Sequence, residues 1–336
     1  MSPWSTSAGA IPQDVTLLGA PDLALEKQIA ALAKTLPDTR IGFAAINLTK
    51  GNTAFLREGE LFPMQSVYKL PIVIAYLDMV ENGEADLNKI VTLTAVDIAP
   101  GRSPLAKKLL IKPTKFTARQ LIEHILLNSD NTATDALLKL GGGPAKFQSV
   151  LGEFGGLEGL RIDRYESKLQ AEAVGLLPSP AWSDAVKFDD AIAALTPAKQ
   201  QQALEKFMRD PRDASSPRAI ASLYSRLMSG SLLEPPHMQL ILDLMERTKT
   251  GADRLNGGIP SGWKFAHRGG QSRSVNNITA AFNDTGLATN DAGAKIIIVL
   301  FIKGSKQDTS VLAKFHRDVA STVLKAWGTA SKVAAK

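Results

Sequence analysis

Apolar positions follow a helical period near the start of the chain: Leu23, Leu25, Ile29 and Leu32 share one face, and Pro37 ends the run. Residues 40–48 and 53–56 then read as short strands, with Lys50-Gly51-Asn52 as the hairpin between them. A longer helical run opens at Ser66 and continues through Ile74, Leu77 and Val80. Residues 90–93 are too short to assign, and Pro100-Gly101-Arg102-Ser103-Pro104 is loop material. Thr117-Ala118-Arg119-Gln120 has the form of a capping box, and predicts a helix carrying Leu121, Ile122, Ile125 and Leu126. That helix ends at Asn128-Ser129-Asp130-Asn131. Residues 132–140 and 145–154 are expected as helices on either side of the break at Gly141-Gly142-Gly143-Pro144.

Residues 160–180 show no clear period and are expected to be irregular. Helical patterns cover 183–195 and 197–208, another starts near Pro217, and a further one spans 236–245. Strand character returns at 263–267, at 277–282 and most strongly at 294–302, with 283–286 and 289–293 as turns. A helix over 307–327 closes the pattern. Strands therefore lie at both ends of the sequence with helices between them. This predicts an α+β or α/β fold: one antiparallel sheet assembled from both ends, flanked by helices, with an all-helical lobe inserted. The expected division is a loose leader over 1–20, a sheet lobe from 21–60 plus 214–330, and a helical lobe over 61–213. No internal repeat is visible.

Composition narrows the chemistry. With 336 residues, 44% hydrophobic and 21% charged, the chain is an ordinary globular one. No apolar run reaches the length of a membrane span, about 18 residues. The net charge of +6 is modest and its cations are scattered along the chain, which favours a solvated surface over nucleic-acid binding. With no cysteine, disulfides, thiol catalysis and Cys-ligated metal are excluded. The four histidines, His124, His237, His267 and His316, are far apart and form no paired metal motif. The first residues lack the basic-then-apolar pattern of a secretion signal, so the chain is expected either to stay inside the cell or to have been trimmed.

Candidate chemistry begins at Ser66-Val67-Tyr68-Lys69. One helical turn separates the hydroxyl from the amine, so they can meet, and a lysine kept neutral by burial can activate a serine. The same residues also suit a helix cap with a solvated lysine. Ser261-Gly262-Trp263-Lys264 matches the pattern too, but follows Pro260 and reads as a turn entering a strand. Ser129-Asp130-Asn131 falls at a helix–helix junction, where it serves equally as a cap or as a set of side chains facing a cleft. His267-Arg268-Gly269-Gly270-Gln271 ends a strand with a cation followed by glycines, which fits an edge-strand turn or a substrate-binding edge.

In this order, the three segments resemble the class A serine β-lactamases and their penicillin-binding relatives, whose signature is Ser-x-x-Lys, Ser-Asp-Asn and Lys-Thr-Gly. Arg164-Tyr165-Glu166-Ser167-Lys168-Leu169-Gln170 resembles the Ω-loop motif of that family, and the resemblance spans nearly the whole chain. It implies that Ser66 attacks the β-lactam carbonyl, with Lys69 or Glu166 as the base. Ser129 would pass a proton to the lactam nitrogen, and Glu166 would activate the deacylating water beside Gln170. Asn131 would bind the substrate amide. The N–H groups of Ser66 and Gln271, flanking Gly270, would form the oxyanion hole. Arg254 and Arg268 would hold the substrate carboxylate. The resemblance further implies a small-molecule β-lactam substrate, no metal, no organic cofactor, and a periplasmic or secreted location; it leaves the oligomeric state open.

The sequence departs from the family pattern in specific places. Arg268 stands for a lysine, Gly269 for a hydroxyl residue and Gln170 for an asparagine, while Arg102 takes the place of an aromatic gate. Asp213 matches the family's loop-closing aspartate only across a long insertion at 174–211, so the Ω loop is expected to be extended. Two other activities share much of this signature: a D-Ala-D-Ala peptidase, which has no need of Glu166, and a β-lactam sensor that acylates without turning over.

Overall fold

The computed structural model describes residues 19–328, so all but the last two residues of the expected leader lie outside it. Among the described residues the strands are β1 (Ala20–Pro21), β2 (Arg40–Asn47), β3 (Asn52–Leu56), β4 (Phe62–Pro63), β5 (Ile90–Leu93), β6 (Thr114–Thr117), β7 (Ala214–Ser215), β8 (Trp263–Gln271), β9 (Ser274–Val275), β10 (Ile278–Asn290) and β11 (Lys295–Ser305). The helices are α1 (Leu23–Ala33), α2 (Lys69–Glu81), α3 (Ala106–Leu109), α4 (Ala118–Asn128), α5 (Asn131–Leu140), α6 (Pro144–Glu153), α7 (Glu166–Ala173), α8 (Ala185–Ala193), α9 (Pro197–Arg209), α10 (Pro217–Ser229), α11 (Pro235–Glu246) and α12 (Thr309–Trp327).

The main sheet runs β1-β3-β2-β11-β10-β8, with β9 paired to β10. Every pairing is antiparallel except the short β1–β3 contact. Strand β11 is apolar on both faces because helices cover both. Ile296, Ile298, Leu300 and Ile302 pack with Leu25 and Ile29 of α1 and with Leu312 and Val319 of α12. Ile297, Val299 and Phe301 face the opposite layer, with Ile220, Leu223 and Leu227 of α10. This period-two division of one strand between two cores carries the expected sheet-and-helix architecture.

Helix α2 forms the middle of the helical side. From Leu70 to Leu77 its residues are buried, which is the fate of a helix that is apolar all round. Its only cation, Lys69, stands at the first position and is fully buried. The capping box at Thr117 and Gln120 forms as expected and starts α4.

Three expectations need correction and one unassigned stretch finds its place, because tertiary contacts supply what local sequence lacks. Ser66 does not begin the α-helix: it lies in a 3₁₀ turn, Gln65–Tyr68, that leads into α2. Residues 283–286 are not a turn but the middle of β10, because Asn283 and Asp284 find buried partners there. The Asn283 side chain donates to the carbonyls of Pro63 and Met64, while Asp284 accepts from Leu255 N–H and pairs with His267 Nδ1. The irregular stretch 160–180 contains α7, whose first N–H groups are capped by Asp135 on another helix rather than by a preceding side chain. Residues 90–93 form β5, paired with the unanticipated β6.

The insertion folds mainly as α8 and α9. Helix α9 is capped by Thr196 with Pro197 at its first position, and it buries Leu204 and Phe207 against Ala280 of β10. Helix α8 buries Phe188 with Ala171 and Val174, continuing the end of α7. Burying each of these large side chains contributes about 1.5–3 kcal/mol.

Candidate active site

The site lies where α2, the α4–α5 junction, α7 and the end of β8 converge. Ser66 is placed by the 3₁₀ turn that enters α2. Ser129 closes α4 in the left-handed conformation (φ 59°), which turns the chain sharply before Asp130 caps α5. Asp130 stabilises this corner by accepting from Ala133 N–H at 2.9 Å and from Leu105 N–H across the junction at 2.7 Å. The capping and cleft-facing readings of Ser129-Asp130-Asn131 therefore both hold, divided among its members.

Lys69 is the hub. Its Nζ lies 3.1 Å from Ser66 Oγ, 3.3 Å from Ser129 Oγ, 3.0 Å from the Ser129 carbonyl and 2.6 Å from Asn131 Oδ1. Glu166 Oε1 stands 2.8 Å away as an ion-pair partner, without the alignment of a good hydrogen bond. Both side chains are essentially sealed from solvent. Burial lowers the Lys69 pKa and the charge of Arg268 lowers it further, while Glu166 opposes both. A buried amine whose pKa is lowered, beside a hydroxyl and a carboxylate, is equipped to relay protons.

Gln170 holds the far side of Glu166, donating to Oε2 at 2.9 Å and to Gln65 Oε1 at 3.3 Å. The extra methylene relative to asparagine thus still allows contact with the carboxylate. Asp135 was not anticipated. It accepts from the backbone N–H groups of both Glu166 (2.5 Å) and Ser167 (3.0 Å), and burial pushes its pKa up to about 6. The signal available in sequence was its spacing: Asp135 follows Asn131 by four residues and shares its helix face.

Across the cleft, β8 passes so close to the Ser66 turn that a Cβ at Gly270 would sit 2.4 Å from the Met64 carbonyl and 3.0 Å from Ser66 N. Only glycine permits that approach. Arg268 is fully buried beneath the site. It donates to the carbonyls of Ser66 (2.9 Å) and Leu126 (3.2 Å) and to Ser129 Oγ, and burial pushes its pKa down to about 10. Arg254, by contrast, lines the cleft. It donates to the carbonyls of Asn283 (2.8 Å) and Gly270 (3.2 Å) and to Gln271 Oε1 (2.6 Å), and stacks 4.0 Å over the Phe282 ring. A Cβ at Gly269 would lie 3.0 Å from Arg254 Nη1, so the guanidinium fills the space a side chain there would need.

These groups surround a cleft of about 650 Å³, lined by Ser66, Ser129, Asn131, Gln170, Arg254 and Gln271 among others. Arg102 stands at its rim, its Nε donating to the Asn128 carbonyl at 2.6 Å. At the base of the 160–213 segment, Arg164 Nε pairs with Asp213 at 2.5 Å, and Asp213 also accepts from the backbone of Asp163 and Arg164. The insertion therefore leaves and returns through one clamp. Among the described residues no cluster of His, Cys, Asp and Glu is arranged to hold a metal ion. Ser261, the other Ser-x-x-Lys serine, precedes β8 in a surface turn away from this cleft.

A family model described as the beta-lactamase enzyme family matches residues 24–327. The chain belongs to this family. Its relatives include the β-lactamase VEB-1 of Pseudomonas aeruginosa, 27% identical over 84% of each protein. A β-lactamase of Streptomyces albus G is 28% identical over 85% of this chain and 79% of that protein. Among solved structures, an ancestral class A β-lactamase superposes with a TM-score of 0.72 at 26% identity, covering 90% of this chain and all of the other. The sheet-and-helix architecture is thus that of the class A β-lactamases, and this β-lactamase family member is a hydrolase. Among its described residues no helix is long and apolar enough to cross a membrane.

Proposed function

We propose that this protein is a serine β-lactamase that opens its substrate through an acyl-enzyme on Ser66 and releases it with Glu166. The observation that carries this reading is the position of Lys69 Nζ, within 3.3 Å of both serine hydroxyls and 2.8 Å from Glu166. In acylation Lys69 first gives a proton to Glu166, and the Ser66 proton then passes to Lys69. Ser66 Oγ bonds to the lactam carbonyl carbon, and the C–N bond breaks. The leaving nitrogen takes a proton from Ser129, which is replenished from Lys69. Arg268, donating to Ser129 Oγ, orients that hydroxyl with its lone pairs toward the guanidinium and its proton free for transfer.

Gly270 brings the β8 backbone against Ser66, which supports an oxyanion hole formed by the N–H groups of Ser66 and Gln271. Such a donor is worth about 3–4 kcal/mol of barrier. Arg254, whose guanidinium lines the cleft beside Gly270 and Gln271, offers its charge to the substrate carboxylate, and Asn131 meets the substrate amide. In the Ω loop, Glu166 first returns its proton to Lys69 and then takes one from the water whose oxygen bonds to the ester carbon. The C–Oγ bond breaks and Ser66 Oγ takes its proton back from Lys69, while Gln170 and Asp135 fix the carboxylate and its helix. Export to the periplasm or cell exterior is the location this activity calls for.

The test is nitrocefin turnover together with mass spectrometry of the protein. Wild type is expected to turn over. Glu166→Gln is expected to give one equivalent of burst and a persistent adduct, and Ser66→Ala no adduct. A wild-type protein that itself stalls as the adduct would replace this reading with the sensor or peptidase alternative.

A further inference from the structure

The positive charge is less evenly spread than the chain totals suggest. From Ile98 to Ile122 there are six cations (Arg102, Lys107, Lys108, Lys112, Lys115 and Arg119) and no acidic residue. The middle of this stretch is a tip built on α3. Leu105 and Leu109 anchor it in the core, and Leu105 N–H is held by the Asp130 carboxylate at 2.7 Å. Successive backbone bonds, Leu109 N–H to Leu105 O, Leu110 N–H to Ala106 O and Lys112 N–H to Lys108 O, fix its turn. With Leu105 and Leu109 turned inward, the next two side chains point out. Leu110 is 69% exposed and Ile111 82% exposed.

Single exposed aliphatic residues need no explanation. Two adjacent ones at a hydrogen-bonded tip, framed by lysines, have the form of a membrane-contacting element. The aliphatic pair can enter the acyl boundary while the lysine stems lie along it and their ammonium groups reach the headgroups. Among the described residues Lys107, Lys108, Lys112 and Lys115 form no ion pair, so their charge is available to an external anion. The two acids that bracket the stretch, Asp97 and Glu123, are paired with Lys139 and Arg119. A soluble polyanion would use the lysines but would leave Leu110 and Ile111 without a role. A lipid surface uses both.

We propose that the α3 tip, through Leu110 and Ile111 with the four surrounding lysines, docks this protein reversibly on a bilayer surface rich in anionic lipid. The attachment is peripheral, since two aliphatic side chains and a few charges give binding that salt weakens. The tip continues directly from Arg102 on the cleft rim, so docking would hold the mouth of the active site close to the bilayer.

Cosedimentation of the full chain with phosphatidylcholine vesicles, with and without one-third phosphatidylglycerol, tests this. Binding is expected only with the anionic lipid and should fall steeply with added salt. The double variant Leu110→Ser/Ile111→Ser is expected to lower the lipid partition coefficient about tenfold. Replacing the four lysines by glutamine should reduce it to the phosphatidylcholine level. An unchanged thermal midpoint in both variants shows that the fold is intact, and it does not depend on the assigned activity. The proposal is overturned if wild type ignores the anionic vesicles or if the serine variant binds them as well as wild type. Binding to soluble heparin without vesicle binding would assign the lysines to a polyanion and equally overturn it.

Discussion

Lys69 and Arg268 are two cations buried within one small volume, and only Glu166 among the groups contacting Lys69 carries a compensating charge. Holding these charges out of water costs stability, which the ion pair with Glu166 offsets only in part. Asp135 shows the same conflict in a form that can be measured. Its native pKa of about 6 lies above the ordinary 3.8, so the folded state binds that proton more tightly than the unfolded chain. The resulting stability is fully present below pH 3.8 and is lost as pH rises through about 6. The difference in unfolding free energy between wild type and Asp135→Asn should therefore shift by about 2 kcal/mol between pH 7 and pH 4, in favour of wild type at low pH. A difference that stays constant in denaturant titrations at the two pH values would remove Asp135 as the titrating group. Arg254 and Gly269 form a second residue-scale pair. Arg254→Ala should raise KM for penicillins about tenfold to a hundredfold, with a smaller effect on kcat. Gly269→Ser should be harmful in wild type, where its Cβ would meet Nη1 at 3.0 Å, but tolerated in the Arg254→Ala background. Additive effects in that cycle would show that the two positions do not share space.

Among the elements, the insertion is the part whose existence the sequence displayed and whose purpose it did not. Its helices were legible from their period, because α9 has a cap, a proline at its first position and an apolar face. Where they dock was not legible, since Ala280 and Ile278 lie far along the chain and carry no matching local signal. The docking joins two walls of the cleft. Asp189 of α8 reaches Arg273 at 2.8 Å, Asn276 contacts Gln201 at 3.3 Å, and Arg273 lines the cleft beside Gln271 and Ser272. The Asp189–Arg273 pair is half exposed, so Asp189→Ala should change overall stability by less than about 1 kcal/mol. It should nevertheless alter discrimination among substrates by the size and charge of their acyl side chains, seen as a several-fold change in the ratio of their kcat/KM values. An unchanged ratio would make the insertion a passive surface addition. The sequence also missed α7, β6 and the length of β10 for a common reason. Each is completed by a partner remote in sequence: Asp135 for α7, β5 for β6, and the Pro63 and Met64 carbonyls for β10.

At the scale of the molecule, the sheet was legible because its strongest strand, β11, is apolar without a break from Ile296 to Ile302 and the first hairpin carries its own turn signal. The positions of Ser66, Lys69, Ser129 and Glu166 were legible only as separate short motifs; bringing them into one cluster is the work of the two packed layers. The β2–β11 ladder pairs Arg40 with Lys303 and Asn47 with Ile296, so the first strands of the chain find their main partner almost at its end. Contacts this distant in sequence are slow to form and cannot form on an incomplete chain. The same late strands carry β8 into place, and it is β8 that presses Gly270 against the backbone of the Ser66 turn. A chain still being synthesised, or moved through a narrow pore, would therefore hold Ser66 and Lys69 in an unfinished site. On the proposed function, activity is timed by topology: Ser66 becomes competent only when the last strands arrive.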